Sequence, residues 1–268
     1  MQEWMAAIDY RDETGLEGRK QYHIQCSAGD IAPIVIVPGD QARVLKIVDK
    51  LAGARKIAEN RGLITYTGEY AGTPVSVTST GMGGPSAAIV YEELINLGAR
   101  YLIRVGSVAS LQPNIKRGDL SIPYACIRDD GASVYYVPEN YPAVADPFLY
   151  TALMEEARKR DVRFHTGINW THSAFYARSQ EYFRQWWRKG VITMEMEASA
   201  LLVIGTLRGV ATAFIGTVYE NRILQTKGDG VDLSVKDVSE EVIKRGVENS
   251  IEIALQGAVN AFKANSKR

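Results

Sequence analysis

The sequence predicts a single α/β domain in which a mixed β-sheet is sandwiched between helices. Three observations carry that expectation. The chain has 268 residues, 46% of them hydrophobic, enough to bury one large core, and its 24 glycines suit many tight turns. Short apolar β-branched runs alternate with amphipathic segments along most of its length, the pattern of strands crossed over by helices. One pair of alternating segments, 63–70 and 74–79, flanks the turn signal Ala71-Gly-Thr73 and reads as an antiparallel hairpin, so the sheet cannot be purely parallel.

Residues 1–20 are polar, mixed in charge and without a clear period, and read as an N-terminal extension to a domain spanning 21–268. Ile34-Val-Ile-Val37 is a buried strand stopped by Pro38-Gly39, with Asp40 placed to cap a helix running to about Leu51. The second hairpin strand feeds Thr80-Gly-Met-Gly-Gly-Pro-Ser86. Pro85 suits the first turn of the following helix, Ile89, Leu94 and Leu97 fall on one face, and Gly98 stops it. A strand over 101–105 follows, then a strand over 119–125. Further on come helices over 147–160 and 180–189, a strand over 191–196 entering a helix over 197–207, a strand over 210–218, and a long amphipathic helix over 239–262. Residues 225–238, with Gly228-Asp-Gly230, read as a mobile surface loop.

Composition excludes several classes of function. Lys plus Arg and Asp plus Glu each number 31, so no overall positive field attracts nucleic acid or an anionic membrane. Cys26 and Cys126 form neither a disulfide framework nor a Cys-x-x-Cys site, as expected in a reducing cytoplasm. The N-terminal stretch lacks the basic and apolar regions of a secretion signal, and no apolar run approaches a membrane span. His23, His165 and His172 have no cysteine or carboxylate companions at ligand spacing, so no metal is expected.

The chemistry is concentrated around anion-binding groups. Arg104 sits inside the apolar run Tyr101-Leu-Ile-Arg-Val-Gly-Ser107 with no acidic residue adjacent, and a buried arginine needs an anionic partner, so a bound phosphate or carboxylate is expected there. Pro38-Gly39-Asp40 offers free backbone N–H groups at a helix start, and Arg43 lies one turn further on, where it serves a ligand or lies in solvent. Arg61, in Glu59-Asn-Arg-Gly62, extends the set to three arginines beside glycines or strand ends, and guanidinium groups pair bidentately with phosphate oxygens. Neither a Walker nor a Rossmann glycine spacing is present, which disfavours a nucleotide triphosphate or NAD and leaves inorganic phosphate as a natural candidate. Met194-Glu-Met-Glu197 places two carboxylates two apart. They point to opposite faces if the strand continues, one entering the site, where it would accept two hydroxyl hydrogen bonds from a ribose diol; Glu197 is also placed to cap the next helix.

As an ordered set, Tyr22-His-Ile24, Val37-Pro-Gly-Asp40 with Arg43, Ser79-Thr-Gly-Met-Gly-Gly-Pro-Ser86, Arg104-Val-Gly-Ser107, Gly118-Asp119 and Met194-Glu-Met-Glu-Ala198 resemble the hexamer-forming nucleoside phosphorylases. That resemblance implies a three-layer α/β/α fold on a mixed sheet, no cofactor, and inorganic phosphate as co-substrate. It implies phosphate held by Gly39, Arg43, Arg104 and Ser107, with Arg61 reaching the phosphate of a neighbouring subunit. Ribose would be held by Met196 and Glu197, with His23 crossing the dimer interface to the 5'-hydroxyl. Such shared sites imply a homohexamer built as a trimer of dimers.

Toward the base the subfamilies diverge. Asn221-Arg222, Arg128-Asp-Asp-Gly-Ala-Ser133 and Tyr141-Pro-Ala-Val-Ala-Asp146 are similar to uridine phosphorylases, which makes uridine the leading substrate and Arg104, Glu197 and Arg222 the candidate catalytic residues. Phe175, Gln180, Glu220 and Arg222 are the candidate base-binding residues. Gln180 answers the family's uracil-binding glutamine only with a one-residue insertion, and its companion arginine is Arg178, Arg184 or absent. Purine-specific members carry an acid after the same late strand, and Glu220 is the residue here that fits a purine nucleoside or methylthioadenosine alternative.

Overall fold

A computed structural model describes residues 19–177, 179–223 and 239–265, together with the backbone of two short strands at 226–227 and 230–231. The extension read at 1–20 lies almost wholly outside the described residues, as do the side chains of 225–238. In chain order the strands flanking the first helix are β1 (Ile34–Ile36), β2 (Ala52–Asn60), β3 (Leu63–Tyr70) and β4 (Thr73–Thr78), with α1 (Gln41–Val48) between β1 and β2. Then follow α2 (Gly84–Asn96), β5 (Tyr101–Ser110), β6 (Leu120–Ser121), β7 (Ala125–Asp129), β8 (Ala143–Val144), α3 (Pro147–Lys159), β9 (Phe164–His165) and β10 (Ile168–His172). The chain continues through α4 (Gln180–Arg188), β11 (Thr193–Glu195), α5 (Ala198–Arg208), β12 (Ala211–Asn221) and α6 (Glu240–Asn265).

The main sheet is mixed, in the order β2-β3-β4-β1-β5-β11-β10-β7-β8, with β12 pairing along β5 and carrying β6 and β9 on its far side. The hairpin of β3 and β4 is antiparallel, while β1 pairs in parallel with β4 and β5, and β5 pairs in parallel with β12. Strand alternation sorts the core into layers. Ile34, Ile36, Ile103 and Val105 pack with Val44 and Ile47 of α1, Leu149 and Leu153 of α3, and the apolar stripe of α6. Val35, Val37 and Leu102 point the other way, onto Val90, Tyr91 and Leu94 of α2 and Leu201 and Ile204 of α5. The expected α/β/α sandwich on a mixed sheet is the observed architecture. No described helix is long and apolar enough to cross a membrane.

Local signals hold where they are chemical. The Asp40 side chain caps α1 by accepting from the Arg43 backbone N–H at 3.0 Å, although the helix ends at Val48 and not near Leu51. Pro85 lies in the first turn of α2, and Gly98, at φ +96°, follows its end. The expected inner stripe of α2 is corrected: Leu94 and Leu97 are buried, but Ile89 is 41% exposed, and the buried face runs through Ala87, Ala88, Val90 and Tyr91. Small alanines let α2 lie close on the sheet, so the stripe is set by close approach and not by the largest aliphatic groups. The strand expected over 119–125 is broken into β6 and β7 around Pro123, which has no N–H for a ladder. β2 and β10 have no counterpart in the sequence reading. β2 is a mostly exposed edge strand whose pairing with β3 slips register twice, so no clean alternation marks it.

Candidate active site

The layer sorting decides where Arg104 goes. Ile103 and Val105 face α3 and α6, so Arg104 falls on the α2/α5 face with Leu102, inside the protein, and is 4% exposed. It borders a cavity of about 340 Å³ at the carboxyl ends of the strands. Gly39 and Asp40 after β1, Gly81 and Met82 after β4, Ser107 to Ala109 late in β5, Met194 to Glu197 around the end of β11, and Tyr219 and Glu220 late in β12 line it, with Arg43 and Phe175.

The absence of an acidic neighbour beside Arg104 in sequence does not survive folding. Its Nε donates to Glu195 at 3.0 Å and its Nη2 to Glu197 at 2.5 Å. The expectation that these two carboxylates point to opposite faces is likewise corrected. The strand stops at Glu195, Glu197 takes the non-strand conformation φ −139°, ψ −19° at the head of α5, and both carboxylates converge on one guanidinium. Nor does the Glu197 side chain cap that helix; Glu195 does, accepting from the N–H groups of Glu197 at 2.7 Å and Ala198 at 2.8 Å.

One side of Arg104 is left over. Nη1 is buried and has no hydrogen-bond partner among the described residues. It faces the backbone at Gly39, where an added Cβ would lie 3.9 Å from it, and the missing side chain keeps that space open. Gly106 serves the same end: a Cβ there would lie 2.9 Å from Nη2. Arg43 reaches over the same strand, donating from Nη1 to the Val105 carbonyl at 3.3 Å, and Ser107 stands exposed beside it.

Electrostatics tie the cluster together. Burial opposes the charge of Arg104, but Glu197 and Glu195 overcome it and hold the guanidinium pKa above its usual value. Burial raises the Glu197 carboxyl above the ordinary carboxylate range; Arg104 opposes the rise and the charge of Glu195 adds to it. Glu197 is held in place from the glycine-rich run, where the Gly83 N–H donates to Oε1 at 2.6 Å. Gly83 presents that N–H from φ +87°, a conformation glycine adopts without strain.

The cavity thus brings together Gly39, Arg43, Arg104, Ser107, Met196, Glu197, Phe175 and Glu220. Four other candidates stand elsewhere. His23 is anchored to Glu93, Nδ1 to Oε1 at 2.6 Å, and its carbonyl accepts from Asn60 at 2.8 Å. Arg61 donates to the Tyr22 hydroxyl at 3.2 Å and lies over that ring, so His23 and Arg61 form one half-exposed corner outside the cavity. Arg222 is adjacent to the cavity, pairing with the Glu220 carboxylate at 2.5 Å and lying over the Phe183 ring, and its Nε is buried without a hydrogen-bond partner among the described residues. Gln180 opens α4 with a buried Oε1 that likewise has none. Arg178 lies outside the described residues, and Arg184 approaches Glu181 at 3.9 Å on α4.

Sequence reasoning missed Glu195 as a structural partner, the Gly83 N–H, and Tyr219. The last is placed by a register shift in the β5–β12 ladder between Val218 and Glu220, a bulge that turns both Tyr219 and Glu220 toward the cavity. It missed Asp130 too, a buried carboxylate that accepts from Ala132, Ser133 and Ser199 and ties the loop after β7 to α5.

Comparison with known proteins agrees with this geometry. The sequence matches the Phosphorylase superfamily over residues 33–256. The uridine phosphorylase of Thermococcus kodakarensis is 40% identical over 237 residues, which cover 84% of this chain and 86% of that protein. The guanosine phosphorylase of Halorubrum lacusprofundi is 34% identical over 244 residues, covering 91% and 99%. The crystal structure of uridine phosphorylase from Vibrio fischeri superposes with a TM-score of 0.83 at 31% identity, covering 90% of this chain and 98% of that one. With the superfamily matched over residues 33–256 and a uridine phosphorylase 40% identical over most of both chains, the chain belongs to the phosphorylase superfamily and is similar to its uridine phosphorylases.

Proposed function

We propose that the protein is a nucleoside phosphorylase that cleaves uridine with inorganic phosphate to uracil and ribose 1-phosphate. The observation that carries this reading is the buried, unpartnered Nη1 of Arg104 facing the open backbone at Gly39 while the same guanidinium holds Glu197. It joins an anion pocket to a diol-accepting carboxylate within one cavity. Phosphate is held by Gly39, Arg43, Arg104 and Ser107, and ribose by Met196 and Glu197, whose carboxylate accepts the 2'- and 3'-hydroxyls. A phosphate oxygen bonds to the anomeric carbon as the glycosidic bond breaks, its electron pair leaving with the base. Positioning and the anion beside the developing ribosyl cation supply the acceleration, so no covalent protein nucleophile is needed. Incubated with uridine, the protein is expected to release uracil in phosphate buffer and none without phosphate; equal release in both would sink this reading.

Base choice rests on the pair at the end of β12. The Glu220 carboxylate is engaged by Arg222, so that Arg222 stands beside the base, the arrangement that favours uracil. Phe175 packs against the base, and Gln180 approaches it with its open carbonyl. The purine reading has one observation in its favour: Glu220 does line the cavity. A panel of uridine, inosine, guanosine and methylthioadenosine separates the two. His23 and Arg61, standing apart from this chain's own cavity, complete a neighbour's site in a dimer within a homohexamer.

The raised carboxyl of Glu197 gives a pH dependence with a definite sign. The ionised form accepts the sugar hydroxyls, so kcat/KM for uridine rises with pH through a midpoint above the ordinary 4.5 of a carboxyl. A profile flat from pH 4.5 upward would contradict the role of Glu197.

A further inference from the structure

Glu195 is the most heavily bonded carboxylate at the cavity, and nothing in the chemistry above uses it. It is 5% exposed. Its Oε2 accepts from Arg104 Nε at 3.0 Å and from the Glu197 and Ala198 N–H groups at 2.7 and 2.8 Å. Its Oε1 accepts from Asn169 Nδ2 at 3.0 Å and Thr171 Oγ1 at 2.7 Å. A carboxylate offers about four lone-pair sites, so Glu195 is saturated and has none for a ligand. Glu197 is held by fewer groups, the Gly83 and Met196 backbone and Arg104, and it lines the cavity.

We propose that Glu195 is a positioning residue: the fixed partner of Arg104, which allows Glu197 to turn from Arg104 to the ribose diol. The inference rests on the phosphorylase reading above. Two carboxylates share one guanidinium, and a buried arginine stripped of its only counter-ion is strongly unfavourable. With Glu195 in place, Arg104 stays neutralised when Glu197 leaves. Glu195 is itself immobilised. Asn169 accepts from Thr193 at 3.0 Å, Thr193 meets Ser121 at 3.0 Å, and Thr171 accepts from the Ser199 N–H of α5 at 3.0 Å. A buried polar column therefore runs from β6 through β11 and β10 to the guanidinium.

The test is Glu195→Gln, assayed beside the native protein after a thermal melt confirms folding. With the charge gone, Glu197 becomes the only protein carboxylate on Arg104 and is held there more tightly. KM for uridine at saturating phosphate should rise about tenfold, the scale of one charged hydrogen bond. The dissociation constant of inorganic phosphate, measured calorimetrically without uridine, should not rise, because the substitution removes a negative charge beside the guanidinium that faces the anion. A merely structural role would weaken both alike, and that result, or an unchanged uridine KM, overturns the proposal. If Glu195→Gln does not fold, Thr171→Val removes one donor to Oε1 and should raise uridine KM about threefold with phosphate affinity unchanged; an unchanged KM then overturns it. Native protein that releases no uracil would refute the phosphorylase reading itself, whereas active native protein with an unaltered variant would refute only the role of Glu195.

Discussion

Arg104→Met is expected to abolish phosphorolysis and to destabilise the fold in the same stroke. Removing a preorganised charged donor from an anion site lowers kcat by about 10²–10³-fold, and here the same side chain also fixes Glu197, so the loss in kcat/KM should lie at the upper end or beyond. Methionine fills much of the space but leaves Glu195 and Glu197 facing each other without a cation. Breaking a buried ion pair by removing one partner costs about 3–5 kcal/mol, and the carboxylates can reduce that only by taking up a proton. Denaturant unfolding should show the larger part of this loss at neutral pH, and the variant should regain stability as pH falls and Glu197 protonates. Activity within tenfold of the native protein, or stability unchanged at neutral pH, would contradict the geometry described for Arg104.

Gly84→Ala should be the most damaging single methyl group near the cavity. A Cβ at this position would lie 2.6 Å from the Asp130 carbonyl oxygen and 2.9 Å from the Asp130 Cβ, so the obstruction is mostly backbone and cannot swing aside. Overpacking of this kind costs about 1–3 kcal/mol. The displaced segment is the one whose Gly83 N–H holds Glu197, so KM for uridine should rise about tenfold through loss of a charged hydrogen bond. Steady-state kinetics with a melting curve check both parts. Native KM together with native stability would show that α2 approaches the loop after β7 less closely than the structure has it.

The clustering of Gly39, Arg43, Arg104 and Ser107 in one cavity was legible in the sequence because these residues lie on local elements. Gly39 and Arg43 flank one strand-to-helix turn, and Arg104 and Ser107 lie late on one strand, so strand direction and turn chemistry bring them to the same end of the sheet. The partners of Arg104 were not legible, because Glu195 and Glu197 arrive on a different strand and only the end of β11 at Glu195 lets both meet it. On the base side, Glu220 reaches the cavity through a bulge that no periodicity announces, and Gln180 depends on where α4 docks. β2 escaped for a related reason: its exposed, charge-rich residues become a strand by pairing with β3, not by any preference of their own.

The parallel ladder that sets Tyr101 opposite Ala211 has a consequence for how the protein comes into being. During synthesis the first half of the sheet can form while Arg104 still has neither counter-ion, because both carboxylates and the strand that covers β5 are made much later. The guanidinium must therefore stay hydrated, and β5 must keep an open edge, until the chain beyond Asn221 is available. Non-local pairing of this kind is slow and leaves an edge exposed to aggregation. Dehydration of Arg104 and completion of the cavity then wait for the second half of the chain.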